Sequence, residues 1–477
     1  MVRVRFAPSP TGIPHIGNTR TALYNYLFAK HNKGKFIIRI EDTDRQRLVP
    51  ESLDKILQIL EFVGIKWDEG PGKNGPYAPY VQSKRLKIYQ DHAHDLVKKD
   101  HAYYCFCTPA QLQTMRKNQQ KQNLPSKYNR NCLKLSQSDI KEKLNKKTPF
   151  VIRLKTPQSG ITQWQDLIQG KISFDNKNID DQILLKSDGY PTYHLAVVID
   201  DYLMKISHIL RGPEWISSTP KHILLYQSFG WDIPKIGHFS LILGPDKKKL
   251  SKRHGAKSAL DYQDEGYLPE ALIAFMAYLG WSYQDNSQIL SMDKMIKLFQ
   301  LKNVQKSNPI FDQQKLDYFN AKYIRSLSIS QLLQLIKPYL KFKIGEDKLK
   351  KILPLIQERL IKLTDVNYLT EYFVKDITTD VQLIKQQSKK PPSEIKSVLN
   401  QIHSAYSAVP DSDLKADRLD QVGHQLLETT GWKPRELFMT IRVAVTGRTA
   451  TPPLFDTMEV LGKSLVLERL KQAQKNI

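Results

Sequence analysis

Between Pro8 and Asn18 the chain reads Pro-Ser-Pro-Thr-Gly-Ile-Pro-His-Ile-Gly-Asn, too rich in proline and glycine for regular structure. Its chemistry suits phosphate. Gly12 and Gly17 let backbone approach a ligand closely, and a helix starting at Asn18 would offer free N–H groups to an anion. The stretch has no Walker Lys-Ser/Thr pair and no Gly-x-Gly-x-x-Gly run, so neither a P-loop nor a dinucleotide fingerprint fits. Taken alone, His15 would be a loop histidine that caps a turn. A second stretch, Gly244 to Gly255, gathers Lys247, Lys248, Lys249, Lys252 and Arg253, which alone reads as a lysine-rich surface turn. Three cysteines in so long a chain argue against a disulfide framework and fit a reducing compartment. No Ser/His/Asp or Cys/His arrangement demands a protein nucleophile.

The flanking residues say what must position these groups. Val2, Val4 and Phe6 alternate with Arg3 and Arg5, which predicts a short half-buried strand. From Asn18, Ala22, Leu23, Tyr26 and Leu27 fall at helical spacing, and Gly34 marks the stop. Phe36-Ile37-Ile38 starts a second strand that ends in Glu41-Asp42-Thr43-Asp44. Strand, loop, helix and strand make a βαβ unit, with ligand expected at the strands' carboxyl ends. A helix over 51–64 follows, then one N-capped by Ser83 and ending near Lys99. Residues 100–182 break this rhythm with Cys105-Phe106-Cys107, a basic stretch over 116–130, Cys132 and short strands such as 150–154. They read as an insertion between two half-folds. The alternation resumes at Ile183-Leu184-Leu185, and a turn-rich loop delivers Tyr193 and His194. A buried strand over 206–210 leads to Arg211 and Glu214 at its carboxyl end, and Thr219-Pro220 caps a helix that stops at Gly230. After Pro269 the chain is almost wholly helical, with amphipathic segments at 332–340, 349–363, 395–405, 419–427 and 460–470, so an all-α bundle or cage is expected.

At 477 residues, 40% of them hydrophobic, the chain has material for two to four domains with real cores. Met1-Val2-Arg3 opens into a strand, so no secretory signal is expected, and no apolar run is long enough for a bilayer. A cytoplasmic protein is the expectation. Net charge of +24 suits a polyanionic partner such as RNA, although a merely basic, solvated surface gives the same count.

His15-Ile16-Gly17-Asn18, set behind Pro8-Ser9-Pro10-Thr11-Gly12, resembles the His-Ile-Gly-His signature of class I aminoacyl-tRNA synthetases. Arg39 to Asp44 is similar to the glutamyl/glutaminyl branch, and Lys249-Leu250-Ser251-Lys252-Arg253 resembles that family's Lys-Met-Ser-Lys-Ser loop. Two signatures in the right order are far less probable by chance than one. The segment from Gly431 to Arg448 resembles the C-terminal end of bacterial glutamyl-tRNA synthetases, so the likeness spans the chain. Glutaminyl enzymes carry β-barrels where this chain is helical, and a shortened tRNA-modifying relative lacks the tail.

The resemblance implies an α/β fold: a Rossmann-like catalytic domain of the class I synthetase type with an α+β insertion, then an all-α stem-contact and anticodon-binding half. The expected divisions are 1–99 and 183–240 for the catalytic halves, 100–182 for the acceptor-binding insertion, 241–322 for stem contact and 323–477 for the anticodon. It implies ATP-dependent activation of L-glutamate and transfer to tRNA(Glu), with Mg²⁺ accompanying ATP and a monomer as the working form. His15, Gly17, Lys249 and Lys252 would be catalytic, and Pro8, Thr11, Gly12, His15, Gly17, Asn18 and Lys252 would bind ATP. Arg5, Ser9, Glu41, Tyr193 and Arg211 would hold glutamate; a carboxylate side chain calls for arginine, whose fork matches it. Activation in this family tends to require bound tRNA. Cys105, Cys107 and Cys132 resemble a zinc module of some bacterial members. Where those relatives carry a histidine two residues after the last cysteine, this chain has Lys134, leaving Tyr128 as an unusual fourth ligand or three thiols of a site that no longer binds metal. Rival readings are a non-catalytic tRNA-binding paralogue and an enzyme that also charges tRNA(Gln).

Overall fold

The computed structural model describes residues 1–73, 75–250, 257–283 and 289–477; Lys252 therefore lies outside the described residues. The chain forms two compact units, 1–263 with 269–316, and 264–268 with 317–477.

In the first unit β1 (Arg3–Phe6), α1 (Ile16–His31) and β2 (Lys35–Ile38) form the expected βαβ start, with β1 and β2 parallel. α2 (Ser52–Phe62) and α3 (Leu86–Lys98) follow. β3 (Ala102–Cys105), α4 (Pro109–Lys121), α5 (Gln137–Asn145) and β4 (Val151–Leu154) lead to the hairpin β5 (Ile161–Asp166) and β6 (Gly170–Asp175). β7 (Ile183–Leu185), α6 (Tyr193–Leu203), β8 (His208–Arg211), α7 (Thr219–Phe229) and β9 (Lys235–His238) complete the α/β part. β8 runs beside β1, where the Ser207 N–H donates to Arg3 O at 3.0 Å, and β9 lies parallel to β8. The carboxyl ends of β1, β8 and β9 thus face one region.

Several expectations need correction. β1 is buried on both faces, because Arg3 pairs with Glu69 at 2.8 and 3.0 Å and Arg5 with Asp201 at 2.9 and 3.2 Å. Paired guanidinium groups can go where lone ones cannot. Ser83 caps nothing: its N–H donates to Asp42, and a 3₁₀ turn over Gln82–Arg85 feeds α3. Tyr193 and His194 belong to the first turn of α6 rather than to a loop, and Ser218, not Thr219, precedes α7 as its N-cap. The stretch read as an insertion is divided between two sheets. β3, β4 and β7 form one, whereas the β5–β6 hairpin joins β9 in the order β6-β5-β9-β8.

The second unit is helical, and its described residues carry no named strand. Its longer helices include Pro392–Ser407, Ala416–Thr430, Pro434–Thr446 and Lys463–Asn476. The single helix expected over 460–470 is instead two, broken at Gly462, whose φ of +85° suits glycine. Within this unit buried Arg469 donates to Val445 O and Lys375 O, tying three segments together.

Candidate active site

A cavity of about 330 Å³ opens at those strand ends. Arg5 comes from β1, Pro8, Ser9, Thr11 and Gly12 from the loop after it, and Asn18 from α1. Glu41 follows β2, Tyr193 starts α6 and Arg211 ends β8. The strand-end geometry thus brings nine expected residues to one wall. His15, Gly17 and Lys249 are not part of its lining.

Charge under the cavity is largely balanced. Asp201 accepts from Arg5 and, at 2.7 Å, from Arg39; Arg39 also donates to Glu41 at 2.8 and 3.2 Å. Burial pushes the Asp201 carboxyl up, but Arg39 and Arg5 outweigh it and hold the group below its ordinary range. Burial dominates at Glu41, which is raised despite Arg39 and Arg5. Both bonds from Arg39 land on Glu41 Oε1, leaving Oε2 without a donor among the described residues. A neighbouring carboxylate, Asp200, is satisfied by Arg85 at 2.8 Å, Gln82 at 3.0 Å and Tyr89 at 2.8 Å.

Arg211 differs. Its side chain is buried, yet among the described residues no carboxylate stands within 4.0 Å. Its partners are neutral: His238 Nε2 at 3.2 Å, His222 Nδ1 at 3.3 Å, Thr219 Oγ1 at 2.9 Å and, more weakly, Tyr193 OH at 3.5 Å. Tyr193 is itself stacked on Trp215, with ring centres 4.1 Å apart. A buried cation with no anionic partner, set in a cavity wall beside Tyr193, is suited to receive a carboxylate.

His15 turns out to be the N-cap of α1, which begins at Ile16 rather than at Asn18. Its Nδ1 accepts the Gly17 N–H at 3.0 Å, and Asn18 Oδ1 accepts the His15 N–H at 3.3 Å. The Ile16 N–H donates to Lys257 O and the Asn18 N–H to His15 O, both at 2.9 Å. The free first-turn N–H groups expected for phosphate are therefore already engaged, because this loop caps its own helix. With Nδ1 an acceptor, neutral His15 carries its proton on Nε2. Burial, assisted by Lys249, lowers its pKa from the ordinary value and favours that neutral form.

Lys249 is exposed on a hairpin closed by Gly244 N–H to Lys248 O at 2.8 Å and Leu250 N–H to Ile242 O at 3.1 Å. Both flanks of Lys252 return to His15: Lys249 acts on its charge, and Lys257 binds the next residue's N–H.

A family model for the catalytic domain of class I tRNA synthetases (E and Q) matches residues 1–318, and one for an anticodon-binding domain matches residues 331–474. A glutamate–tRNA ligase of Dehalococcoides mccartyi strain CBDB1 is 44% identical, covering 99% of this chain and 97% of its own. The Borreliella burgdorferi glutamate–tRNA ligase is 42% identical, with coverage of 99% and 98%. The chain belongs to the class I glutamyl-tRNA synthetase family. A crystal structure of the glutamate tRNA ligase from Elizabethkingia meningosepticum, in complex with its amino acid, matches with a TM-score of 0.93 at 38% identity, covering 99% of each chain.

For a member of this family, the three cysteines form a distinct second cluster. Their sulfurs all lie within 4.8 Å of one another. Tyr128 OH is 3.3 Å from both Cys105 and Cys107, and Cys132 Sγ accepts the Phe106 N–H at 3.3 Å. Zn–S bonds of about 2.3 Å in a tetrahedron place sulfurs roughly 3.8 Å apart, so the set fits zinc. A hydrogen bond from Cys132 lowers the Cys105 thiol below its ordinary range, while the same bond raises Cys132. The Arg153 guanidinium carbon sits 4.1 Å from the centre of the Tyr128 ring. No contact recruits Lys134 to the cluster among the bonds described.

Asp166, Asp200, Asp201, His222 and His238 escaped the sequence reading, and Arg39 entered it only as part of a motif, with no role of its own. One signal was available: Asp200-Asp201 closes an apolar helical run, Leu195 to Ile199, and two carboxylates there require cations. Asp166 had none, since its partner His238 is distant in sequence and meets it only through the β5–β9 pairing.

Proposed function

We propose that this chain activates L-glutamate with ATP and transfers it to the 3′-terminal adenosine of tRNA(Glu). The buried Arg211, with no carboxylate partner among the described residues, in a cavity that Glu41 also lines, carries this reading. Arg211 with Arg5 meets substrate carboxylate, Glu41 takes the ammonium group, and Ser9 and Tyr193 complete the contacts. The glutamate α-carboxylate oxygen attacks the α-phosphorus of ATP, the bond to the bridging oxygen breaks, and pyrophosphate leaves with the electron pair. In the second step a ribose hydroxyl of tRNA attacks the adenylate's carbonyl and AMP departs, taking up the hydroxyl proton. Neither step forms a bond to protein, so the residues work by position and charge.

His15 Nε2–H donates to a phosphate oxygen, and Lys249 and Lys252 meet charge developing on pyrophosphate. Pro8, Thr11, Gly12 and Asn18 shape the adjoining nucleotide path, while Gly17 holds the His15 ring. Mg²⁺ would enter as part of the ATP substrate and would offset its phosphate charge. Cys105, Cys107, Cys132 and Tyr128 would hold a structural zinc that fixes α4 against β3. We assign residues 241–322 to the tRNA stem and 323–477 to the anticodon. The reduced thiols and a tRNA substrate suit the cytoplasm, and no described helix is long and apolar enough to cross a membrane.

Charging of purified tRNA(Glu) and tRNA(Gln) with labelled glutamate, alongside pyrophosphate exchange with and without tRNA, tests the reading. We expect glutamyl-tRNA(Glu), and a loss of about 10²-fold in activation for Lys252→Ala, the scale of one electrostatic donor. Binding of tRNA without charging would make the chain a non-catalytic paralogue. Charging of tRNA(Gln) as well would make it non-discriminating.

A further inference from the structure

Arg211 is held by groups that leave its charge intact, and the arrangement behind it is specific. His238 and Asp166 are fully buried, with Nδ1 to Oδ2 at 2.6 Å. Asp166 Oδ1 is occupied by three backbone N–H groups, those of Ile168 and Gln169 at 3.0 Å and His238 at 3.1 Å, so its orientation is fixed. A carboxylate only accepts, which places the imidazole proton on Nδ1 and leaves Nε2 as a bare lone pair. That lone pair faces the Arg211 Nε–H at 3.2 Å. Thr219 Oγ1 lies 2.9 Å from Trp215 O and 3.2 Å from the same His238 Nε2, either of which can take its one hydroxyl proton, and toward Arg211, which only donates, it acts as acceptor.

We propose that Asp166 and His238 are positioning residues for Arg211: the Asp166 carboxylate fixes the His238 tautomer, and His238 orients the guanidinium toward the cavity without neutralising it. This rests on the reading of Arg211 as the carboxylate-binding residue. A carboxylate placed directly against Arg211 would occupy the donors that substrate needs. Held one imidazole away, Asp166 supplies compensating charge and leaves those donors to the ligand. With the opposite tautomer, His238 would turn an N–H against the Arg211 N–H. Burial lowers the His238 pKa, and Arg211 adds to this while Asp166 and Glu214 oppose it; the net result keeps the ring neutral. Asp166 sits at the end of β5, so the hairpin read from sequence as part of an insertion supplies the group behind Arg211 through His238.

The test is pyrophosphate exchange by the full chain with tRNA present, reading KM for glutamate, KM for ATP and kcat. Asp166→Asn presents an amide N–H to His238 and should raise KM for glutamate by about 10-fold or more, the scale of one hydrogen bond to a charged group. KM for ATP should move by less than about 2-fold on the same argument, since ATP does not depend on Arg211. His238→Leu should do likewise, and His238→Gln, whose amide oxygen can accept from Arg211, should lose less. Arg211→Gln is the reference. If it raises KM for glutamate while Asp166→Asn and His238→Leu do not, the positioning role is overturned and the pocket reading stands. If Arg211→Gln itself leaves that KM unchanged, the pocket reading fails. Equal rises in both KM values would indicate general damage and overturn the role. Should Asp166→Asn not fold, equal losses for His238→Leu and His238→Gln overturn it.

Discussion

At the scale of the residue, small geometric facts decide which groups are available. Gly17 shows this. A Cβ there would lie 2.8 Å from His15 Cε1 and 3.0 Å from Nδ1, so any side chain must push the imidazole out of its capping position. Gly17→Ala should therefore lower kcat in pyrophosphate exchange by about 10²-fold, the loss typical of misplacing a catalytic group by about an ångström. Affinity for tRNA, measured by filter binding, should be unchanged, and equal activity would show that His15 is not used where it stands. The sequence made His15 conspicuous through its motif, but its cap geometry was hidden. Which nitrogen accepts depends on the Gly17 N–H, a tertiary and backbone detail that residue types do not encode.

At the scale of the element, the buried ion pairs beneath the cavity lock β1 and α6 together and place Arg39, the residue after β2, between them. Asp201→Asn leaves Arg5 and Arg39 under-compensated in the interior and should cost about 3–5 kcal/mol, measured by urea unfolding. The sign with pH follows from the depressed carboxyls. Burial pushes Asp166 up, yet the bond from His238 and backbone N–H groups bring it down to about 2, below its ordinary 3.8. Asp201 is depressed as well. Their contributions are complete above the unfolded-state pKa and are lost as pH falls from there through the folded-state values, so acid unfolding should set in over that window. In Asp201→Asn the Asp201 part of that acid sensitivity should vanish; an unchanged acid midpoint would remove Asp201 from the account. The cysteine element makes a separate prediction. Protein purified without chelator should hold close to one zinc per chain, and Cys132→Ala should lose it; zinc-free wild-type protein would leave three reduced thiols packed around Tyr128.

At the scale of the whole molecule, charge and motif order were legible and sheet partnership was not. A surplus of +24 predicts salt-sensitive capture of a polyanion. The Kd for tRNA should weaken by at least tenfold, on the order set by counterion release, between 50 and 200 mM salt, and a salt-independent Kd would mean that the surplus is spread over a non-binding surface. The helical second unit could be anticipated because helical periodicity is local. The β5–β6 hairpin was missed as part of the main sheet because pairing to β9 joins residues far apart in sequence. By itself the sequence determined the βαβ start and the helical tail, and it singled out two short stretches by their likeness to family signatures, all properties of local sequence. Only the tertiary structure decided that Arg3 and Arg5 lie buried, that the first-turn N–H groups of α1 are spent, and that Arg211 stands without an anion among the described residues. Those outcomes depend on which distant groups share a low-dielectric interior, where every charge and donor is settled by its neighbours in space.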